Sequence, residues 1–195
     1  MPKESEVLGL TALMLLHDSR RSARVASDGS LVTLEEQDRS LWDREQIAEG
    51  LGLVDRAIRL GRPGPYQIQA AIGALHARSE RAEDTDWRQI ALLYEKLVAL
   101  TGSPVVELNH AVALAMAHGP ELGLEKLEEL DRRGELSAYH LFHAARADLL
   151  RRAKQFPQAL GAYDIALTFA KNAREREYLE RRRKEVLLAL DCGSG

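Results

Sequence analysis

The chain has a single cysteine, Cys192. That excludes an internal disulfide and suits a reducing cytoplasm. Cys192 lies in a Gly-rich tail with no histidine nearby, which is no setting for a nucleophilic thiolate. Aromatic residues make up only 5%, so a core must be built from Leu, Ala, Ile and Val. No long hydrophobic run is present: the apolar stretch Val7–Leu16 is about half of the ~20 residues that cross a bilayer, and reads as a buried helix. Met1-Pro2-Lys3-Glu4 does not open a signal peptide. Positive charge is in deficit, with 27 Lys and Arg against 30 Asp and Glu, and the pI is about 6.1. Such a chain is not set up to hold a phosphate backbone by itself. No P-loop, dinucleotide fingerprint or Ser/His/Asp set occurs.

What is present is a globular composition, 45% hydrophobic and 29% charged over 195 residues, which one soluble domain can hold. Richness in Leu, Ala, Glu and Arg favours helix. Helices are expected at Glu4–Asp18, from Asp38 or Ser40 to about Leu60, at Tyr66–Ala77, Trp87–Leu100, Val105–Ala117 and Glu121–Asp131, as a pair within Tyr139–Ala170, and from about Arg174 to Leu190. In the second of these Leu41, Ile47, Leu51, Val54 and Ile58 form the apolar stripe. Gly61-Arg62-Pro63-Gly64-Pro65 stops it. Thr85 or Asp86 caps the helix that opens at Trp87. Asp28-Gly29 between two β-prone arms predicts a small β-hairpin near residues 24–34.

The pair within Tyr139–Ala170 organises the rest. It breaks at Lys154-Gln155-Phe156-Pro157. One arm carries Leu141, Ala144, Ala145, Asp148, Leu149 and Leu150, and the other Ala159, Tyr163, Ala166 and Leu167. Small residues at Ala147, Ala159 and Ala166 let two backbones approach, beside Phe156 and Tyr163. This alternation resembles a tetratricopeptide (TPR) repeat, a hairpin of ~34 residues that buries its apolar face only against neighbours. Ile90/Tyr94, Gly123/Leu127 and Ala159/Tyr163 recur at steps of 33 and 36 residues, and Ala111 precedes Ala147 by 36. The expected architecture is all-α, a right-handed superhelical stack of antiparallel hairpins in a single domain. Residues 1–60 form a divergent cap with the β-hairpin, 61–170 the repeats, and 171–190 a capping helix.

Three constellations carry candidate chemistry. Asp38, Arg39, Trp42 and Asp43 come first: on a helix Asp38 and Trp42 share a face beside Arg39, and an arginine held by a carboxylate next to an indole is a docking point for a protein or a small anion. Capping alone also accounts for Asp38 and Ser40. Tyr66, Gln67, His76, Asp86 and Trp87 bracket the next hairpin, where they line a polar pocket against the 38–43 motif or serve separate capping and core roles. Asn109, Tyr139, His140, His143 and Arg146 lie on first helices of later repeats, which line the concave surface of TPR stacks and suit an extended segment, or else bond between helices. His140 and His143 are three apart, but no Cys or third His sits at metal-ligand spacing, so no metal is expected. Arg181-Arg182-Arg183-Lys184 is surrounded by Glu175, Glu177, Glu180 and Glu185 and reads as a solvated, ion-paired helix.

The order of local motifs is more specific than a generic repeat. It runs Gly9-Leu10-Thr11-Ala12-Leu13-Met14-Leu15-Leu16-His17-Asp18, Gln37-Asp38-Arg39-Ser40-Leu41-Trp42-Asp43 and Gly61-Arg62-Pro63-Gly64-Pro65-Tyr66-Gln67. It continues with Ala70-Ala71-Ile72, Thr85-Asp86-Trp87, Ser103-Pro104-Val105-Val106-Glu107-Leu108-Asn109 and His143-Ala144-Ala145-Arg146-Ala147-Asp148-Leu149-Leu150. Over nearly its whole length the chain resembles the C-terminal extension of one group of bacterial extracytoplasmic-function (ECF) RNA polymerase sigma factors. The resemblance implies a cytoplasmic regulatory domain without catalysis or cofactor. It would act by contact with the N-terminal sigma domains or polymerase, and touch DNA only through those domains, which this chain lacks. The 38–43 motif is a signature of that group. His110 departs from it, standing where Arg is expected, and takes support from an anion site there. The alternative is a small-molecule sensor that uses the pocket beside the 38–43 motif; a metal-dependent enzyme has least support.

Overall fold

A computed structural model describes residues 2–61 and 63–192. Among them are nine α-helices and no sheet: α1 (Pro2–Asp18), α2 (Arg44–Arg59), α3 (Pro65–Arg78), α4 (Trp87–Thr101), α5 (Pro104–His118), α6 (Pro120–Arg133), α7 (His140–Arg152), α8 (Phe156–Phe169) and α9 (Ala173–Cys192). Short 3-10 turns occupy Arg21–Ala23, Arg39–Leu41 and Ala82–Asp84. No described helix is long and apolar enough to cross a membrane. Arg62 of the helix-stop motif around Gly61, the tail residues 193–195 and Met1 lie outside the described residues, as do the side chains of Pro2, Lys3 and Cys192.

The punctuation is local chemistry. Proline stands in the first turn of α3, α5, α6 and α8, where its missing N–H costs no hydrogen bond. Gly102 closes α4 in the left-handed region at φ 57°, which a residue without Cβ adopts freely. Lys154 holds the same kind of conformation, φ 58°, at the break between α7 and α8. There Gln155 N donates to Leu150 O at 2.9 Å, so the αL turn satisfies a carbonyl that the end of α7 leaves open.

Two compact units divide the chain, residues 1–102 and 103–195. In the first, α1 packs against both α2 and α3, and α3 against α4. Its core gathers Ala12, Leu16, Trp42, Ile47, Val54, Ala70 and Ala74. In the second, α5 pairs with α6 and α7 with α8; α6 lies on α7, and α9 on α8. One core there joins Leu108, Ala111, Leu127, Leu130, Phe142 and Leu149. The other joins Ala147, Ala159, Tyr163, Ala166, Leu179 and Val186. The repeat positions Ala111, Gly123, Ala147 and Ala159 are all buried, and at Gly123 an added Cβ would stand 2.6 Å from Ala115 Cβ and 2.8 Å from Leu149 Cδ1. The small residue is what lets the helices meet.

Four expectations need correction. The β-hairpin near residues 24–34 is a loop closed by one isolated bridge, Val25 to Leu31. The Asp28-Gly29 turn forms, with Ser30 N donating to Asp28 Oδ1 at 2.9 Å, but its short arms have no further strand to pair with. The helix expected from Asp38 or Ser40 starts six or four residues later, at Arg44. Trp42 is extended, φ −78° and ψ 137°, because burying its indole in the core of the first unit takes the chain out of helix. Leu41 and Ile58, expected in the stripe of that helix, are exposed, as is Leu141 of α7. Val7–Leu16 is not buried all round: Val7, Leu10 and Met14 are exposed, whereas Ala12 and Leu16 enter the core.

Candidate functional site

The 38–43 stretch is two carboxylate caps with two buried side chains, Arg39 and Trp42, between them. Asp38 accepts from Ser40 N at 2.9 Å and so opens the 3-10 turn. Asp43 accepts from Glu45 N and Gln46 N, both at 3.0 Å, and opens α2. Both carboxylates are exposed, and hydrogen bonds to the ionised form hold both below the usual carboxylate range, from Ser40 at Asp38 and from Gln46 at Asp43.

Arg39 and Trp42 turn inward. The Arg39 Nη1 donates to His76 O at 2.8 Å and Ser79 O at 2.7 Å, and Nη2 donates to Thr85 Oγ1 at 3.2 Å. These acceptors are the last carbonyls of α3 and the loop leading to α4. A helix C-terminus carries unsatisfied carbonyls and partial negative charge, and a guanidinium suits both. The Arg39 guanidinium also lies 4.9 Å from the centre of the Trp42 ring, and that of Arg20 lies 5.8 Å from it, within cation–π range. His76 meets Trp87 edge-on, ring centres 5.2 Å apart. Arg39, Trp42, His76 and Trp87 are therefore brought together as a joint that ties residues 39–42 to the α3–α4 connection. Asp38 does not hold Arg39, contrary to the sequence reading; backbone carbonyls and an indole do.

Cations crowd this joint. Burial, then Arg20, Arg39 and His17, push His76 down to about 4. Burial, then Arg24 and Arg39, lower Arg20 to about 10. Burial lowers Arg39 too, with Asp84 opposing. Arg39 Nε, Trp42 Nε1 and His76 Nδ1 are buried without a hydrogen-bond partner among the described residues.

Tyr66 and Gln67 are elsewhere. They sit at the opposite end of α3, roughly 15 Å of helix from His76 at 1.5 Å per residue. Tyr66 is exposed and Gln67 buried. Their backbone N–H groups donate to Glu6 Oε2 and Oε1, each at 3.1 Å, so Glu6 caps α3 from α1. Asp86 accepts from Gln89 N at 2.9 Å and caps α4. Sequence reading missed Glu6, Arg20 and the carbonyls of His76 and Ser79. For Glu6 a signal exists, since Pro65 leaves α3 without a capping side chain at Gly64; for the carbonyls none does.

In the second unit the polar residues serve separate contacts. Asn109 is exposed on α5. Tyr139 stands at the N-cap of α7, where no side chain bonds. His143 is buried, its Nε2 2.8 Å from Ser137 O, stacked 5.6 Å from Phe169. His140 Nε2 lies 3.2 Å from Glu175. Arg146 donates to Asp131 at 3.0 Å and edges a cavity of about 210 Å³ that Glu121, Glu125 and Glu128 also line. The basic run of α9 is less solvated than expected. Arg182 reaches Glu185 at 2.8 Å and Asp148 at 3.4 Å, and Arg183 reaches Asp164 at 2.6 Å. Asp148 also accepts from Arg151 and Arg152, each at 2.7 Å; burial raises its carboxyl, but these arginines outweigh that and leave it lowered.

Residues 1–58 match DUF6596, a family of unknown function. That stretch holds Arg39 and Trp42, half of the joint, as well as Glu6 and Arg20; His76 and Trp87, the other half, lie beyond it. An uncharacterized protein of Rhizobium meliloti (strain 1021) is 51% identical over 178 residues, which are 91% of this chain and 42% of that protein. The chain thus spans less than half the length of the curated relative it matches. No solved structure matches.

Proposed function

We infer that this chain is a regulatory, protein-interacting region of an ECF-type sigma factor, a right-handed TPR-like stack that controls transcription initiation through the sigma domains or polymerase. The ordered series of motifs from Gly9 to Leu150 carries this reading. Its 42% share of the Rhizobium meliloti relative supports it, since a regulatory extension is part of a longer protein. The chemistry agrees: the signature residues Arg39 and Trp42 hold helices in place, which is the work of a scaffold, and the exposed surface is left for contact. Action is in the cytoplasm, on DNA only through the attached sigma domains.

The test uses the longer relative. Run-off transcription with core polymerase compares that protein with a version lacking the region equivalent to this chain. Promoter output is expected to change by about tenfold or more, the equivalent of ~1.4 kcal/mol of coupling. Equal output from both, or failure of the whole relative to bind core polymerase, defeats the reading.

A further inference from the structure

One side of α1 is left uncovered. Val7, Leu10 and Met14 are 62%, 38% and 65% exposed, and steps of three and four residues set them in one row along the helix. Met14 also walls an open cavity of about 560 Å³, which Leu15, His17, Asp18, Arg21, Arg24 and Gln46 share. An apolar row therefore runs into a basic end. The carboxylates at that end are engaged: Asp18 with Arg21, and Asp43 with the first turn of α2 and with Gln46 Nε2 at 3.0 Å. Arg24 donates to His17 O at 2.6 Å, the last turn of α1. Arg20, Arg21 and Arg24 thus outnumber the acids around them.

We propose that this face docks an amphipathic helix of a protein partner, its apolar side on Val7, Leu10 and Met14 and its carboxylates against Arg21 and Arg24. Apolar rows rimmed by charge mark interaction surfaces, and a helix lays such a face down through anchors at i, i+3 or i+4, and i+7. From Val7 to Asp18, where α1 ends, is about 16 Å at 1.5 Å per residue, close to three turns of a partner helix, and Arg21 and Arg24 follow in the turn beyond. The charged end fixes its direction, because the reversed helix would leave carboxylates on the apolar row and the cations unmatched. The inference stands apart from the sigma-factor reading, since it is read by binding alone.

The full chain is titrated into a labelled synthetic helix of about sixteen residues, with leucines at i, i+3 and i+7 and glutamates in its last turns, followed by fluorescence anisotropy. A control peptide carries lysine for each glutamate. Saturable binding is expected, at least about tenfold tighter for the glutamate peptide. Met14→Glu is expected to weaken it about tenfold or more, and Arg21→Glu to erase the preference for glutamate. Ile58→Glu, an exposed apolar site on α2, leaves binding unchanged, and circular dichroism melts confirm that all variants fold. Absence of saturation at about 1 mM peptide, far weaker than helix-in-groove recognition, overturns the proposal. So does equal loss with Ile58→Glu, or a dimer of the chain that Met14→Glu disperses.

Discussion

Arg39 is the residue on which most of the first unit converges. It makes three hydrogen bonds to groups 37, 40 and 46 residues away and stacks on Trp42. Arg39→Ala leaves buried carbonyls without a donor and is expected to cost about 2–4 kcal/mol in urea unfolding. Arg39→Lys keeps the charge but not the planar fork, and about half of that loss is expected. A Lys variant as stable as the parent would show that charge alone suffices. His76 makes the same site sensitive to pH. The unfolded chain protonates His76 near the ordinary 6.5, but the folded protein resists until about 4. Stability present above pH 6.5 is therefore lost as pH falls toward 4, by up to ~3 kcal/mol. His76→Phe keeps a ring against Trp87 and removes the proton. The stability gap between parent and variant is expected to shift by about that amount between pH 7 and 4.5, and a constant gap would place the titration elsewhere.

At the scale of elements, helix contact is set by missing side chains. An added Cβ at Gly9 would stand 2.7 Å from Gln67 N and 2.8 Å from Gln67 Cα, where α1 crosses the start of α3. Gly123 is as tight between α5, α6 and α7, and Gly161 on α8 has open space. Gly9→Ala and Gly123→Ala are expected to destabilise by about 1–3 kcal/mol through overpacking. Gly161→Ala is expected to stabilise by about 0.5–1 kcal/mol from helix propensity. Thermal melts of the three variants rank them, and a neutral Gly9→Ala would mean that α1 can slide off α3 at no cost. Gly123 was legible beforehand, because it falls on the 33- and 36-residue steps of the repeat. Gly9 was not, because its contact lies outside any repeat and across 58 residues of chain.

At the scale of the molecule, each core cluster draws its residues from one unit only, either 1–102 or 103–195. Burial within a unit is what offsets its chain entropy. Fragments 1–102 and 103–195 are therefore each expected to give a helical, cooperative melt. A fragment that melts without a transition would show that its core is insufficient alone. The match to DUF6596 stops at residue 58, short of the first unit's boundary, and truncation there would remove the carbonyls that Arg39 holds.

The amino-acid order by itself determined that the chain is helical, where most helices begin and end, and which small positions are buried in the second unit. Those outcomes follow from signals that act within a few residues: a proline that needs no N–H partner, a carboxylate cap, a period of 3.6. Only the tertiary structure decided that Arg39 turns toward carbonyls instead of Asp38, that the arms around Asp28-Gly29 stay unpaired, and that one row of α1 faces outward. In each case the deciding group is far away in the chain or lacking from it, and local sequence carries no record of distant acceptors, neighbouring strands or covering helices.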